Sequence, residues 1–91
     1  MSGKIMAMFN LAGMSAEQYD QLLQNMEAAG VLNMPGRLSH VASVTEEGIV
    51  AVDVWESAEA LQQFAGTLIP MLQQVGVTPS SPKIYPVYNM M

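Results

Sequence analysis

Three features of the sequence predict an α+β chain of βαββαβ order, the split βαβ arrangement called ferredoxin-like. Short apolar runs at residues 4–11, 37–44, 49–56 and 83–91 have the length and composition of strands. Two longer segments, opening at Ser15 and Ser57, repeat their apolar residues at helical spacing. Glycine and proline clusters separate these runs and leave no room for a long linker. The expected architecture is a single domain over residues 1–91, a four-stranded antiparallel sheet with both helices on one face.

The first run, Lys4 to Leu11, lies between Gly3 and Gly13 and reads as a strand buried on both faces. Lys4 followed by Ile5–Phe9 faintly imitates a signal peptide, but Asn10 breaks the apolar stretch too early. Ser15 with Gln18 three residues later forms a capping box, with Glu17 favourable in the first turn. Tyr19, Leu22, Leu23 and Met26 then make one apolar stripe, and Gly30 ends the helix.

Arg37 to Val44 reads as the second strand. Simple alternation puts Leu38, His40, Ala42 and Val44 on one face and Arg37, Ser39, Val41 and Ser43 on the other. Thr45 to Gly48 is the turn of a hairpin. In the third strand Val50, Val52 and Val54 oppose Ile49, Ala51, Asp53 and Trp55, so both faces are apolar and both need cover. Ser57 caps the second helix, whose stripe is Leu61, Phe64, Ala65, Leu68, Ile69, Leu72 and Val75. Pro70 is expected to kink or split it. The last run, Lys83 to Met91, reads as a strand, and Pro86 marks it as an edge or a bulge.

Composition narrows the function. Of 91 residues, 51% are hydrophobic and only 12% charged, against about 25% charged in typical domains. A chain this small buries roughly 60–65% of its unfolded surface. The surplus of apolar residues therefore calls for a second buried surface, either a subunit interface or a sizeable ligand cavity, and a homodimer is expected to supply it. The net charge is −5, with Lys4, Arg37 and Lys83 the only cations. That excludes a nucleic-acid partner and disfavours an anionic membrane surface. No apolar run reaches the ~18 residues of a membrane span. There is no cysteine, which removes disulfides, thiol catalysis and thiolate metal sites and suits the cytoplasm. One histidine cannot build a multi-histidine metal cage, and no phosphate-binding loop is present, so the chain is expected to work without metal or cofactor.

The stretch Val52-Asp53-Val54-Trp55-Glu56-Ser57, with Ala58, Ala60, Leu61 and Phe64 after it, resembles the dimeric α/β-barrel superfamily. More narrowly, it resembles the antibiotic biosynthesis monooxygenase family and its uncharacterised relatives. The segment Leu68, Pro70, Leu72 and Gly76 resembles that family too. The resemblance implies a homodimer of face-to-face sheets with a pocket between sheet and helices in each subunit. Members include cofactor-independent oxygenases of aromatic polyketides, haem-degrading enzymes, isomerases and proteins without known activity. It also implies that Trp55 lines the pocket and that Asn10 matches a ligand-binding Asn of the first strand. The second-helix histidine of the haem-degrading members has no counterpart in Gln62 to Leu68.

From the residues themselves, His40 and Asp53 are the candidate catalytic groups. His40 is the only imidazole, the side chain best suited to take and return a proton near neutrality. The bland alternative is a satisfied core or interface histidine. Asp53 lies in an otherwise buried strand, where a carboxylate needs a partner; Arg37 or a tyrosine hydroxyl could supply it. Asp53 and Trp55 point the same way and together suit a small aromatic ligand. Tyr19, Tyr85 and Tyr88 read as packing residues with a wet hydroxyl. Two functions follow: a cofactor-independent monooxygenase-like enzyme on a small aromatic or polyketide-like substrate, or a non-catalytic small-molecule-binding or structural dimer.

Overall fold

The computed structural model describes residues 3–91. Its elements are β1 (Ile5–Ala12), α1 (Ala16–Ala28), β2 (Arg37–Thr45), β3 (Gly48–Trp55), α2 (Ala58–Gln74) and β4 (Lys83–Pro86). The sheet order is β2-β3-β1-β4, and every neighbouring pair is antiparallel. This is the ferredoxin-like α+β arrangement that the element order predicts.

Local chemistry fixes the helix ends. Ser15 accepts from the Gln18 backbone while the Gln18 side chain accepts from the Ser15 backbone, a complete capping box. At the other end Gly30 has φ 75°, and Gly30 N and Val31 N donate to Glu27 O and Met26 O in a Schellman closure. Ser57 caps α2 through Ala60 N.

The core lies between one sheet face and the two helices. Ala7, Phe9, Leu11, Ile49, Ala51 and Trp55 rise from the sheet to meet Leu22, Met26, Leu61, Phe64, Leu68 and Leu72. The opposite face carries Met6, Met8, Val50, Val52 and Val54, all half-buried by one another, and Val41, 67% exposed. Among the described residues no element covers that face.

Three expectations are corrected. Proline does not split α2, which runs unbroken through residue 70. Pro70 and Gly66 both lie on the exposed side, where water can take the carbonyl that the ring leaves unpaired. The last strand stops at Pro86 instead of running to Met91. Pro86 already stands opposite Ile5, the first residue of β1, so little edge remains to pair with; Val87 N reaches Lys4 O, and Tyr88 is fully exposed. Finally, β2 does not alternate regularly, because a bulge between Arg37 and Ser39 leaves Leu38 without a partner. Arg37 then stands opposite Trp55 and His40 opposite Asp53, so both face the helices. No described helix is long and apolar enough to cross a membrane.

Candidate active site

The bulge creates the site. Before it, Gly36 has φ 88°, and a Cβ there would lie 2.7 Å from Ala60 Cβ, so only glycine lets the chain pass against α2. Glu56 N donates to Gly36 O across the same junction. The extra residue then turns Arg37 toward the helices, where its guanidinium donates to Leu32 O at 2.8 Å and stands 5.7 Å over the Phe64 ring.

Between the sheet, α1 and the N-terminal half of α2 lies a cavity of about 170 Å³. Phe9, Leu22, Met26, Leu32, Phe64 and Leu68 are among its apolar walls. Its polar groups are four: Tyr19, Arg37, His40 and Asp53.

Three of the four form a chain. Asp53 is 1% exposed, and its carboxylate accepts from Nδ1 of His40. Nε2 of the same ring lies 2.6 Å from the Tyr19 hydroxyl, and the two rings are within 3° of parallel. The partners set the tautomer. A carboxylate only accepts, so the proton sits on Nδ1 and the Nε2 lone pair faces the Tyr19 O–H. Asp53 thus holds the imidazole as a base whose unprotonated nitrogen, Nε2, accepts from Tyr19, and it would stabilise the imidazolium formed when that base is used. Burial is the main cause that raises the Tyr19 pKa above its ordinary value; the nearby Asp53 charge adds to it and Arg37 opposes it. Tyr19 therefore stays a neutral donor at physiological pH.

The structure brings His40 and Asp53 together and separates the other two predicted site residues from them. Trp55 is fully enclosed and does not reach the cavity. Phe64, 5.0 Å away, stands on the cavity wall in its place. Asn10 pairs with Val50 on β3, on the sheet face turned away from the helices, and is exposed there. Tyr19 and Arg37 are the residues that sequence reasoning missed. Tyr19 had a signal, since it heads the helical stripe that faces the sheet. Arg37 had a signal only as a possible partner for Asp53, and alternation assigned it to the opposite face. Among the described residues no group of three or more His, Asp or Glu side chains could hold a metal ion.

Solved structures similar to this chain include several monooxygenases. SnoaB, a cofactor-independent oxygenase from Streptomyces nogalater, superposes with a TM-score of 0.63 at 13% identity, over 97% of this chain and 94% of that one. A protein of Caulobacter crescentus assigned as an antibiotic biosynthesis monooxygenase gives 0.56 at 21% identity, over 97% and 89%. The fold is that of the antibiotic biosynthesis monooxygenases. A third such structure, the ActVA-Orf6 monooxygenase from Streptomyces coelicolor in complex with nanaomycin D, gives 0.56 at 18% identity, over 99% and 92%. No protein-family model and no curated protein sequence matches the chain.

Proposed function

We propose that the chain is a cofactor-independent oxygenase acting on an aromatic ketone or phenol of polyketide type. The observation that carries this reading is the Asp53–His40–Tyr19 chain ending in a cavity whose walls are otherwise apolar save for Arg37. The fold shared with SnoaB and ActVA-Orf6 supports it.

An anthrone-type ring ketone shows the chemistry. Its ring methylene is activated because the carbanion it forms spreads into the carbonyl. Nε2 of His40 removes one methylene proton, and Asp53 steadies the resulting imidazolium. Arg37, the cation on the same wall, stabilises charge moving onto the carbonyl oxygen. The carbanion reacts with dioxygen to form a carbon–oxygen bond, and the imidazolium returns the proton to give a hydroperoxide. Loss of water leaves a second ring carbonyl. One oxygen atom stays in the product and the other leaves as water; the two C–H bonds supply all the electrons, so no reductant is needed. Tyr19 donates to Nε2 in the unliganded site and gives way to the substrate.

The same reading includes a homodimer. Met6, Met8, Val41, Val50, Val52 and Val54 form an uncovered apolar face, and a second copy of that face would bury it. The absence of cysteine suits a reducing cytoplasm.

The test is oxygen uptake by metal-stripped, flavin-free protein given anthrone in air. Uptake above background that is lost in His40→Ala is expected. Background uptake, regained only on adding flavin or metal, would overturn the proposal.

A further inference from the structure

Dioxygen has to reach the carbanion, and the chamber beside His40 leaves little room for it. At about 170 Å³ that chamber is close to the ~150 Å³ void that one benzene ring fills. It meets solvent at its polar end, where Tyr19 is half-buried and the His40 side chain is 28% exposed. A seated substrate ring therefore fills the chamber and closes that way in. Across the sheet from His40, two strands away on β1, stands Phe9. Phe9 and Leu68, both buried, wall the chamber on that side.

Behind that wall lies a second cavity, of about 270 Å³, between α2, β1 and the loop 77–82. Phe9 and Leu68 line both cavities, so their side chains are the wall that the two share. Ala65, Ile69, Leu72, Pro79 and Pro82 line the rest, and among the described residues no charged side chain does. Ser80 is committed elsewhere: its Oγ donates to Asn10 O at 2.9 Å and ties the loop to β1. Such a chamber has little to hold ordered water, and cavities of this kind take xenon or benzene instead. Dioxygen is a small apolar molecule and shares their preference for apolar surroundings over water. Ile69, 44% exposed, stands at the rim, so the chamber is reached from outside without passing His40. Leu68 stands on a helix, and a change of rotamer opens the shared wall without moving the sheet.

We infer that the chamber beneath the loop 77–82 is a dioxygen site, from which the gas passes Leu68 to the substrate ring seated at His40. This rests on the proposed oxygenase reading and adds the place where its second reactant is held. The two reactants then come from opposite sides. The organic substrate enters at the polar end, beside Tyr19 and His40. The gas enters at Ile69, through walls that neither bind water nor hold a charge.

Xenon is the inert apolar probe for this site. Ile69 and Leu72 line the far chamber and not the near one. Under xenon pressure their methyl resonances should shift to saturation, and anthrone added in the absence of oxygen should leave those shifts in place. Ala65→Leu and Ala65→Phe fill the chamber from α2 in two steps of size. Ala65 is half-buried and leucine is a good helix former, so the smaller variant keeps the helix where the larger one fails to fold. Both should weaken the xenon shifts and raise the KM for dioxygen, by about threefold or more in the larger. The KM for anthrone, and exchange of its methylene hydrogens under nitrogen, should stay at the wild-type values. Absence of a xenon shift at Ile69 and Leu72, or its loss when anthrone binds, would overturn the inference. Oxygen uptake whose KM for dioxygen is unchanged in both variants would overturn it and leave the oxygenase reading in place. Xenon bound as expected in a wild type that takes up no oxygen would keep the gas-binding chamber, and would remove the oxygenase reading and the oxygen route with it.

Discussion

His40 and Asp53 stand directly opposite each other on β2 and β3, on the face covered by the helices, with Nδ1 bonded to the carboxylate. The pair depends on cross-strand register. A shift of one residue in β2 would send His40 to the uncovered face and leave the buried carboxylate without a partner. The bulge at Leu38 lets β2 keep this pairing and also turn Arg37 inward.

Asp53→Asn should abolish the orientation of the base while keeping its size. An amide can donate to Nδ1, which favours the tautomer with its proton on Nε2 and removes the lone pair from the cavity. Oxygenase activity should fall by about 10²–10⁴, the range for loss of positioned acid–base catalysis. Steady-state oxygen uptake checks this, and circular dichroism checks that the fold is retained.

Tyr19 should titrate above the ordinary tyrosine range, because burial first and the Asp53 charge second both disfavour its phenolate. Its folded pKa is raised, so just above pH 10 the native state binds more protons than the unfolded one. Stability must then fall as pH rises through that region. In an ultraviolet titration Tyr19→Phe should remove a step that lies above the ordinary tyrosine range and soften the alkaline loss of stability.

Much of this was legible in the sequence, and the misses share a cause. The helix caps at Ser15 and Ser57 are local chemistry and read directly. The inward set Ile49, Ala51, Asp53 and Trp55 follows from the two-residue period of a strand. Three facts instead required the assembled fold. A bulge cannot be seen in Arg37-Leu38-Ser39, so Arg37 was placed on the wrong face. That Asp53 takes His40 as its partner depends on register between two strands. That Trp55 lies beneath Phe64, outside the cavity, depends on where α2 crosses the sheet. Family likeness placed Trp55 and Asn10 at the ligand, and the local packing of this chain sets both apart from the cavity.

Pro70→Ala should stabilise the protein. The helix already runs through this position, the side chain is exposed, and alanine restores an N–H for the Gly66 carbonyl. A gain of about 1–3 kcal/mol is expected from the helix cost of proline. Urea unfolding measures it; a loss of stability would show that the ring makes contacts that outweigh the missing bond.

Val52→Glu should separate the proposed dimer. Val52 lies in the middle of the uncovered face, opposite Met8 on one side and Val41 on the other. A stable pair should bury more than about 1,000 Å², and a charge at its centre would be desolvated without a partner. Light scattering should give a dimer for the wild type and the 9.8 kDa monomer for the variant. A wild type that is already monomeric at micromolar concentration would contradict the assignment.

The central claim is that His40, held by Asp53, removes a proton from carbon. Exchange of the anthrone methylene hydrogens in heavy water under nitrogen, followed by proton magnetic resonance, reads that step alone, with no oxygen chemistry after it. The account predicts exchange well above the buffer rate with wild-type protein, and near the buffer rate with His40→Ala and Asp53→Asn. Wild-type exchange at the buffer rate, or fast exchange that persists in both variants, would contradict it.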